Sequence, residues 1–256
     1  MNGVFAVPQR PARLLAFDTS TEAMSVALSC ATGTCCWTGV GGAQASIELV
    51  PRIEAMLAEA GIGYRDLDAI AYGCGPGAFT GLRTACAVAQ GLGFGAGLPV
   101  LAVDSLAIVA ENARAQRAEV EATGIWVAMD ARMDEIYAAA YRWEARGGQG
   151  GRWQSASSPA LYTLPALNAI WAAQPPLAVA GSALAAFGER LNLHDALPLP
   201  QTTDRAAALL RVAQGLWADG TALPADRALP LYLRDKVALT TRERESVRAA
   251  KLQAAS

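Results

Sequence analysis

At 256 residues, with 53% hydrophobic and 17% charged side chains, the chain can fill one large core or two related ones and is too apolar for a disordered protein. Its net charge of −2 argues against a broad basic face that grips nucleic acid on its own. No apolar run reaches the length of a membrane span, and residues 1–12, with Pro8 and Pro11, read as a loose extension without a signal-peptide core, so a cytoplasmic location and no membrane contact are expected.

The five cysteines, at 30, 35, 36, 74 and 86, form no C-x-x-C pair, and a thiolate zinc site would need four convergent ligands. His194 is the single histidine, so no two-histidine metal motif exists. It sits in the loop-like LNLHDALP stretch without a nucleophile nearby, which leaves little for a hydrolytic triad. It reads as an ordinary surface or half-buried residue.

In chain order, Arg13 to Asp18 (RLLAFD) predicts a buried strand ending in a polar turn, Thr19-Ser20-Thr21. Two more strands follow, Met24 to Ser29 and Thr34 to Val40, joined through Ala31-Thr32-Gly33. Ser46 to Ala60 predicts a helix, with Ser46 as N-cap, Gly61 as its stop and Pro51 as a bend or second start. Leu49, Ile53, Met56 and Ala60 make one apolar stripe on it, and Ile47, Val50 and Leu57 a second, wider together than one packing surface needs. Asp68 to Cys74 predicts a parallel strand, and Thr80 to Phe94 a helix capped by Thr80 and rich in glycine and alanine. Such a helix gives up stability unless something approaches its backbone closely. Pro99 to Asp104 supplies the next strand by a right-handed crossover.

A similar series follows: a helix from Ser105 to Val120, then a hairpin of Ile125 to Asp130 and Glu135 to Trp143. Ala145 to Ser158 is glycine- and serine-rich and is expected to be a flexible connection. Helices at Leu164 to Ala173 and Ser182 to Leu191 flank a strand at Leu177 to Ala180. Asp204 caps a longer helix that Gly220 stops, and the charged tail from Thr240 reads as frayed or loosely helical. The echo between the halves suggests two related subdomains, residues 13–105 and 106–237, with residues 238–256 as a tail.

Three polar segments carry candidate chemistry. Asp18-Thr19-Ser20-Thr21 could offer amides and hydroxyls to a phosphate and a carboxylate to a metal, or simply cap its own backbone. Gly75-Pro76-Gly77-Ala78-Phe79-Thr80-Gly81-Leu82-Arg83 is more specific, because its glycines free the backbone and lead into a helix N-terminus suited to an anion. It is not a P-loop, since no Gly-Lys-Ser/Thr ending is present. Asp130-Ala131-Arg132-Met133-Asp134-Glu135-Ile136-Tyr137 places acids and an arginine in a hairpin turn, which reads as solvated charge with a weak ion pair rather than as catalysis.

Taken together, LLAFDTSTEAMSVAL, AYGCGPGAFTGLRTACAVAQGL, AMDARMDEIYAAAY and LPLYLRDKVA occur in the order and spacing of the TsaB family, and the chain resembles that family from Arg13 to Val237. The resemblance implies an α/β protein of two actin-like (ribonuclease H-like) subdomains, with mixed sheets flanked by helices and the last helix packing back on the first subdomain. It implies a subunit without catalytic apparatus that pairs with TsaD, which carries metal, nucleotide and transfer chemistry. With TsaE and a threonylcarbamoyl-adenylate synthase, that pair makes threonylcarbamoyladenosine beside the tRNA anticodon. The chain is then expected to be a homodimer when alone and to meet tRNA indirectly. No cofactor is required, with weak ATP or ADP binding at the partner interface as the one nucleotide role.

Asp18, Thr19, Ser20, Gly75, Gly77 and Thr80 would be vestigial phosphate loops. The partner interface would include Leu49, Ile53, Leu57, Arg83, Ala87 and Gln90, two helices completing a four-helix arrangement with a matching pair. Where the family often has a histidine, this chain has Ala45. The rival readings are a stand-alone actin-fold ATPase or kinase, for which Val179-Ala180-Gly181-Ser182 is a poor adenosine motif, and a peptidase, for which metal ligands and a nucleophile–base pair are missing.

Overall fold

A computed structural model describes residues 11–30, 33–146 and 151–234. The first sheet collects β1 (Leu14–Asp18), β2 (Ala23–Cys30), β3 (Gly33–Val40), β4 (Ala69–Gly75) and β5 (Val100–Asp104) in the order β3-β2-β1-β4-β5. β1, β2 and β3 run antiparallel to one another, while β1, β4 and β5 are parallel. Helices α1 (Ala45–Glu59) and α2 (Phe79–Ala96) cover one face of it. α3 (Ser105–Gln116) and the short α4 (Val120–Thr123) lead to the second sheet.

That sheet contains β6 (Ile125–Asp130), β7 (Glu135–Ala145), β8 (Gly151–Ser155), β9 (Ala160–Thr163), β10 (Ala178–Ala180) and β11 (Leu197–Leu199). Its order is β11-β10-β6-β7-β8, with β9 also on β7. The β6, β7, β8 and β9 pairings are antiparallel, and β10 is parallel to β6 and β11. α5 (Leu164–Ala173) and α6 (Ala183–Phe187) pack on this sheet, and α7 (Arg205–Ala218) closes the series. The molecule is thus α/β, with two mixed sheets flanked by helices.

Period-2 alternation explains the layering. On β1, Leu15 and Phe17 point to the α1–α2 side, while Leu14 and Ala16 point to the α7 side. α7 follows the second sheet in the chain, yet Leu209, Leu210, Ala213 and Trp217 pack on the first. α3 lies between the sheets, giving Ile108 to the first and Leu106, Val109 and Ala113 to the second. Beyond α7, residues 223–234 run back along β5 and β4: Leu223 bridges Val100, and the Leu231 amide donates to the Cys74 carbonyl at 2.7 Å.

Several sequence expectations need correction. Ser46 is not a cap; α1 starts at Ala45, and the Ser46 hydroxyl donates to the Ala43 carbonyl at 3.1 Å. α2 starts at Phe79 with Ala78 as N-cap and no side-chain cap, so Thr80 lies inside the helix. The glycine-rich connection is partly β8, whose Trp153 sits opposite Trp143 with the indole N–H on Glu111 at 3.1 Å. Asp204 does cap α7, accepting from the Ala207 amide at 3.1 Å, and Gly220 has the left-handed φ of 67° that ends it. The turn at residues 31–32, the extension over 1–10 and the tail from 235 lie outside the described residues. No helix among the described residues is long and apolar enough to cross a membrane.

Candidate functional site

The Asp18–Thr21 turn and the Gly75–Gly81 loop, 62 residues apart where Thr19 meets Gly81, are in direct contact. β1 and β4 are parallel neighbours, so their C-terminal ends deliver both loops to one edge of the sheet. Thr19 Oγ1 donates to the Gly81 carbonyl at 2.7 Å, and the Ala78 amide donates to the Ser20 carbonyl at 2.8 Å. The packing is backbone on backbone. A Cβ at Gly81 would fall 1.8 Å from the Thr19 carbonyl oxygen, and one at Gly77 would fall 2.5 Å from that of Ser20. Glycine stands here because the neighbouring Thr19–Ser20 backbone occupies the space a side chain would take. The Gly75–Pro76 peptide is cis, and the Gly75 amide donates to Ser105 Oγ at 3.2 Å.

Asp18, Thr19 and Ser20 are all buried, and the carboxylate of Asp18 has no side-chain exposure. Arg205, the first residue of α7, donates from Nε to Asp18 Oδ2 at 2.7 Å and brings Nη2 to 2.6 Å from the same oxygen. Nη2 also reaches Ser20 Oγ at 3.1 Å and the Ser105 carbonyl at 3.4 Å. Ser20 Oγ donates to Asp18 Oδ2 at 2.9 Å, and the Ser20 amide to Oδ1 at 3.2 Å. The carboxylate that would face a metal and phosphate therefore faces a guanidinium, and its oxygens are taken by protein donors. Among the described residues, no cluster of three histidine, cysteine or carboxylate side chains could hold a metal ion. Sequence reading missed Arg205; its one signal was a position next to the Asp204 cap. Close by, Tyr141 donates to Asp104 at 2.6 Å; burial raises the Asp104 carboxyl and pushes the Cys74 thiol up to about 12.

The predicted partner face divides in two. Leu49, Ile53 and Leu57 belong to the core under α1, at 1%, 0% and 3% exposure, so they cannot meet a partner without unfolding the helix from the sheet. Gln90 is half-buried and donates to the Ala228 carbonyl at 2.9 Å. Arg83 is exposed, stacked 3.8 Å over Phe79 and bonded to the Tyr232 hydroxyl at 3.0 Å. Ala87 is exposed. One helical turn on, Gly91 and then Gly95 continue its face, and a Cβ at either would meet nothing within 4 Å. Ile47 on α1 and Phe94 on α2 are large apolar side chains left 68% and 65% exposed. At the C-terminal ends of the two helices, Gly91, Leu92 and Gly95 with Tyr64 and Arg65 line a groove of about 480 Å³. The second α1 stripe and the glycines of α2 were the available signals for this outer face.

Comparison with known proteins gives the same relationship from several sides. The family described as "TsaD: tRNA N6-adenosine threonylcarbamoyltransferase" matches residues 42–163. The tRNA threonylcarbamoyladenosine biosynthesis protein TsaB of Escherichia coli is 33% identical over 245 residues, covering 88% of this chain and 96% of that protein. Its namesake in Haemophilus influenzae is 41% identical over 124 residues, 48% of this chain and 51% of that one. The solved structure of YeaZ from Pseudomonas aeruginosa superposes with a TM-score of 0.75 at 37% identity, covering 87% of this chain and all of that one. A second Pseudomonas aeruginosa structure, described as an uncharacterized protein similar to peptidase YEAZ, gives 0.77 at 37% identity, covering 88% of this chain and 100% of that one. On the near-complete mutual coverage with the Escherichia coli protein, this chain belongs to the TsaB family.

Proposed function

We propose that the chain is a non-catalytic subunit that binds and stabilises TsaD in forming threonylcarbamoyladenosine on the adenosine next to the tRNA anticodon. The Escherichia coli relative is named for that biosynthesis, and the TsaD family description matches residues 42–163, which include α1 and α2. Two chains of related fold can pair through corresponding faces about a pseudo-twofold axis, and the same face then serves a homodimer when the partner is absent.

The observation that carries the reading is the outer surface of α1 and α2. Ala87, Gly91 and Gly95 let a helix backbone approach closely, Phe94 offers an apolar anchor on the same helix, and Ile47 offers a second on α1. A stable interface buries about 1,200–2,000 Å², which two helices facing two helices can supply. TsaE would join the larger complex, and tRNA would be met mainly through TsaD, in keeping with a net charge of −2. A peptidase has less support, since the single histidine is exposed. A stand-alone ATPase or kinase has less support too, since Asp18 already carries Arg205.

The test is light scattering on size-exclusion fractions of the chain mixed with TsaD of the same organism. A species of the summed mass is expected. Ala87→Arg combined with Gly91→Leu should abolish it while leaving the chain folded, since both positions face outward and Gly91→Leu raises helix propensity. Persistence of the complex in this variant would remove the assigned face. Separate elution of the wild-type proteins, even with nucleotide and TsaE present, would remove the scaffold reading.

A further inference from the structure

The chain passes between its two sheets twice. It leaves the first through α3, which begins at Ser105, and returns through α7, which begins at Arg205. Both starting residues are bonded to Asp18: Ser105 Oγ lies 3.5 Å from Oδ1, and the Arg205 guanidinium holds Oδ2 at 2.6–2.7 Å. Arg205 also reaches across to the Ser105 carbonyl, so the two crossings are tied to each other as well as to the β1–β2 turn. At 7% and 0% side-chain exposure, Arg205 and Asp18 are shielded from water and salt.

We propose that Arg205 is a built-in counter-cation that latches both crossings to Asp18 and so fixes the two halves in one arrangement without a ligand. In an actin-like enzyme the corresponding cleft would hold a metal and a nucleotide phosphate. Here the donor set does not fit that pair. Asp18 receives the side chains of Ser20 and Arg205 and the Ser20 amide, and the glycine loop is filled by the Thr19–Ser20 backbone. The guanidinium contributes the positive charge and, through its fork of N–H groups, bonds that a spherical ion would not make. The latch stands on this geometry alone; its consequence, that a partner surface mounted on α2 is held in one position whatever the nucleotide level, rests on the scaffold reading.

The experiment compares melting midpoints of the full chain for wild type, Arg205→Met, Asp18→Asn and the double variant, each with and without millimolar Mg-ADP. Arg205→Met leaves a buried carboxylate without a counter-charge and should melt about 10 °C lower. The double variant removes that carboxylate and should recover at least half of the loss. Wild type should melt at the same temperature with and without Mg-ADP, and its radius of gyration from small-angle scattering should not change. If Arg205→Met is recovered only unfolded, a folded double variant carries the same support, and an unfolded one overturns the latch. Melting of Arg205→Met within about 1 °C of wild type would overturn it as well. A saturable rise of the wild-type midpoint with Mg-ADP that Asp18→Asn abolishes would show that Asp18 faces a ligand instead.

Discussion

Asp18 and Asp130 each end the first strand of a sheet, β1 and β6, and each opens a turn into an antiparallel neighbour. In the sequence the two turns look alike, short polar stretches with an acid at the head. In the structure they are opposites. The first is buried against a second loop and neutralised by Arg205. The second stands at the surface, with Arg132, Met133 and Asp134 all left-handed at φ of 63°, 57° and 61°. Its outer charges pair in solvent, Arg132 to Glu22 at 3.0 Å and Asp134 to Arg190 at 2.8 Å, while Glu135 holds the largely covered Arg234. The contrast shows that the chemistry of a polar turn is set by what covers it. Under cover, one charge pair governs stability; in water, several pairs contribute little and backbone strain becomes the larger local effect.

Five substitutions sharpen or break that comparison. The largest effect belongs to Arg205→Met, which should cost about 3–5 kcal/mol in urea unfolding because the buried carboxylate loses its partner. A cost near zero would place the two turns in the same class. Next is Gly81→Ala, whose new methyl meets the Thr19 carbonyl oxygen at 1.8 Å and should cost about 2 kcal/mol or more. Gly91→Ala, on the open side of the same helix, should instead gain up to about 1 kcal/mol, so paired melts of the two variants separate close packing from helix propensity. In the exposed turn, Met133→Gly should raise stability by about 0.5–1 kcal/mol, as a left-handed residue loses its steric cost but gains freedom when unfolded. The smallest effect is Glu22→Ala, which breaks a pair whose side chains are 87% and 72% exposed. It should change stability by about 0.5 kcal/mol or less, with no difference left at high salt.

Much of the fold was legible because it rests on periodicity. Alternating residues placed β1, β2, β6 and β7 close to their observed bounds, and the Asp204 cap and Gly220 stop placed α7. β8, β9 and β11 were hidden for two reasons. Glycine and serine around β8 imitate a linker, and β9 and β11 are only 4 and 3 residues long, held by their neighbours rather than by their own pattern. The caps at Ser46 and Thr80 failed because other residues one or two positions earlier open those helices.

The candidate site was legible as two loops but not as a contact. Nothing local joins Asp18 to Arg205 across 187 positions, and that pairing decides what the loops do. On α1, periodicity revealed two apolar stripes without saying which one the chain keeps for itself. The structure gives Leu49, Ile53 and Met56 of the first stripe and Leu57 of the second to the core, and leaves Ile47 of the second outside.

The most direct test of the scaffold account is the mass of the species formed when this chain meets TsaD of its own organism, measured by light scattering across a size-exclusion peak. The account predicts the summed mass for wild type and two separate peaks for the Ala87→Arg, Gly91→Leu variant, with that variant's melting midpoint no lower than wild type by more than a few degrees. A summed-mass complex that survives both substitutions, or wild-type proteins that never co-elute, would contradict it.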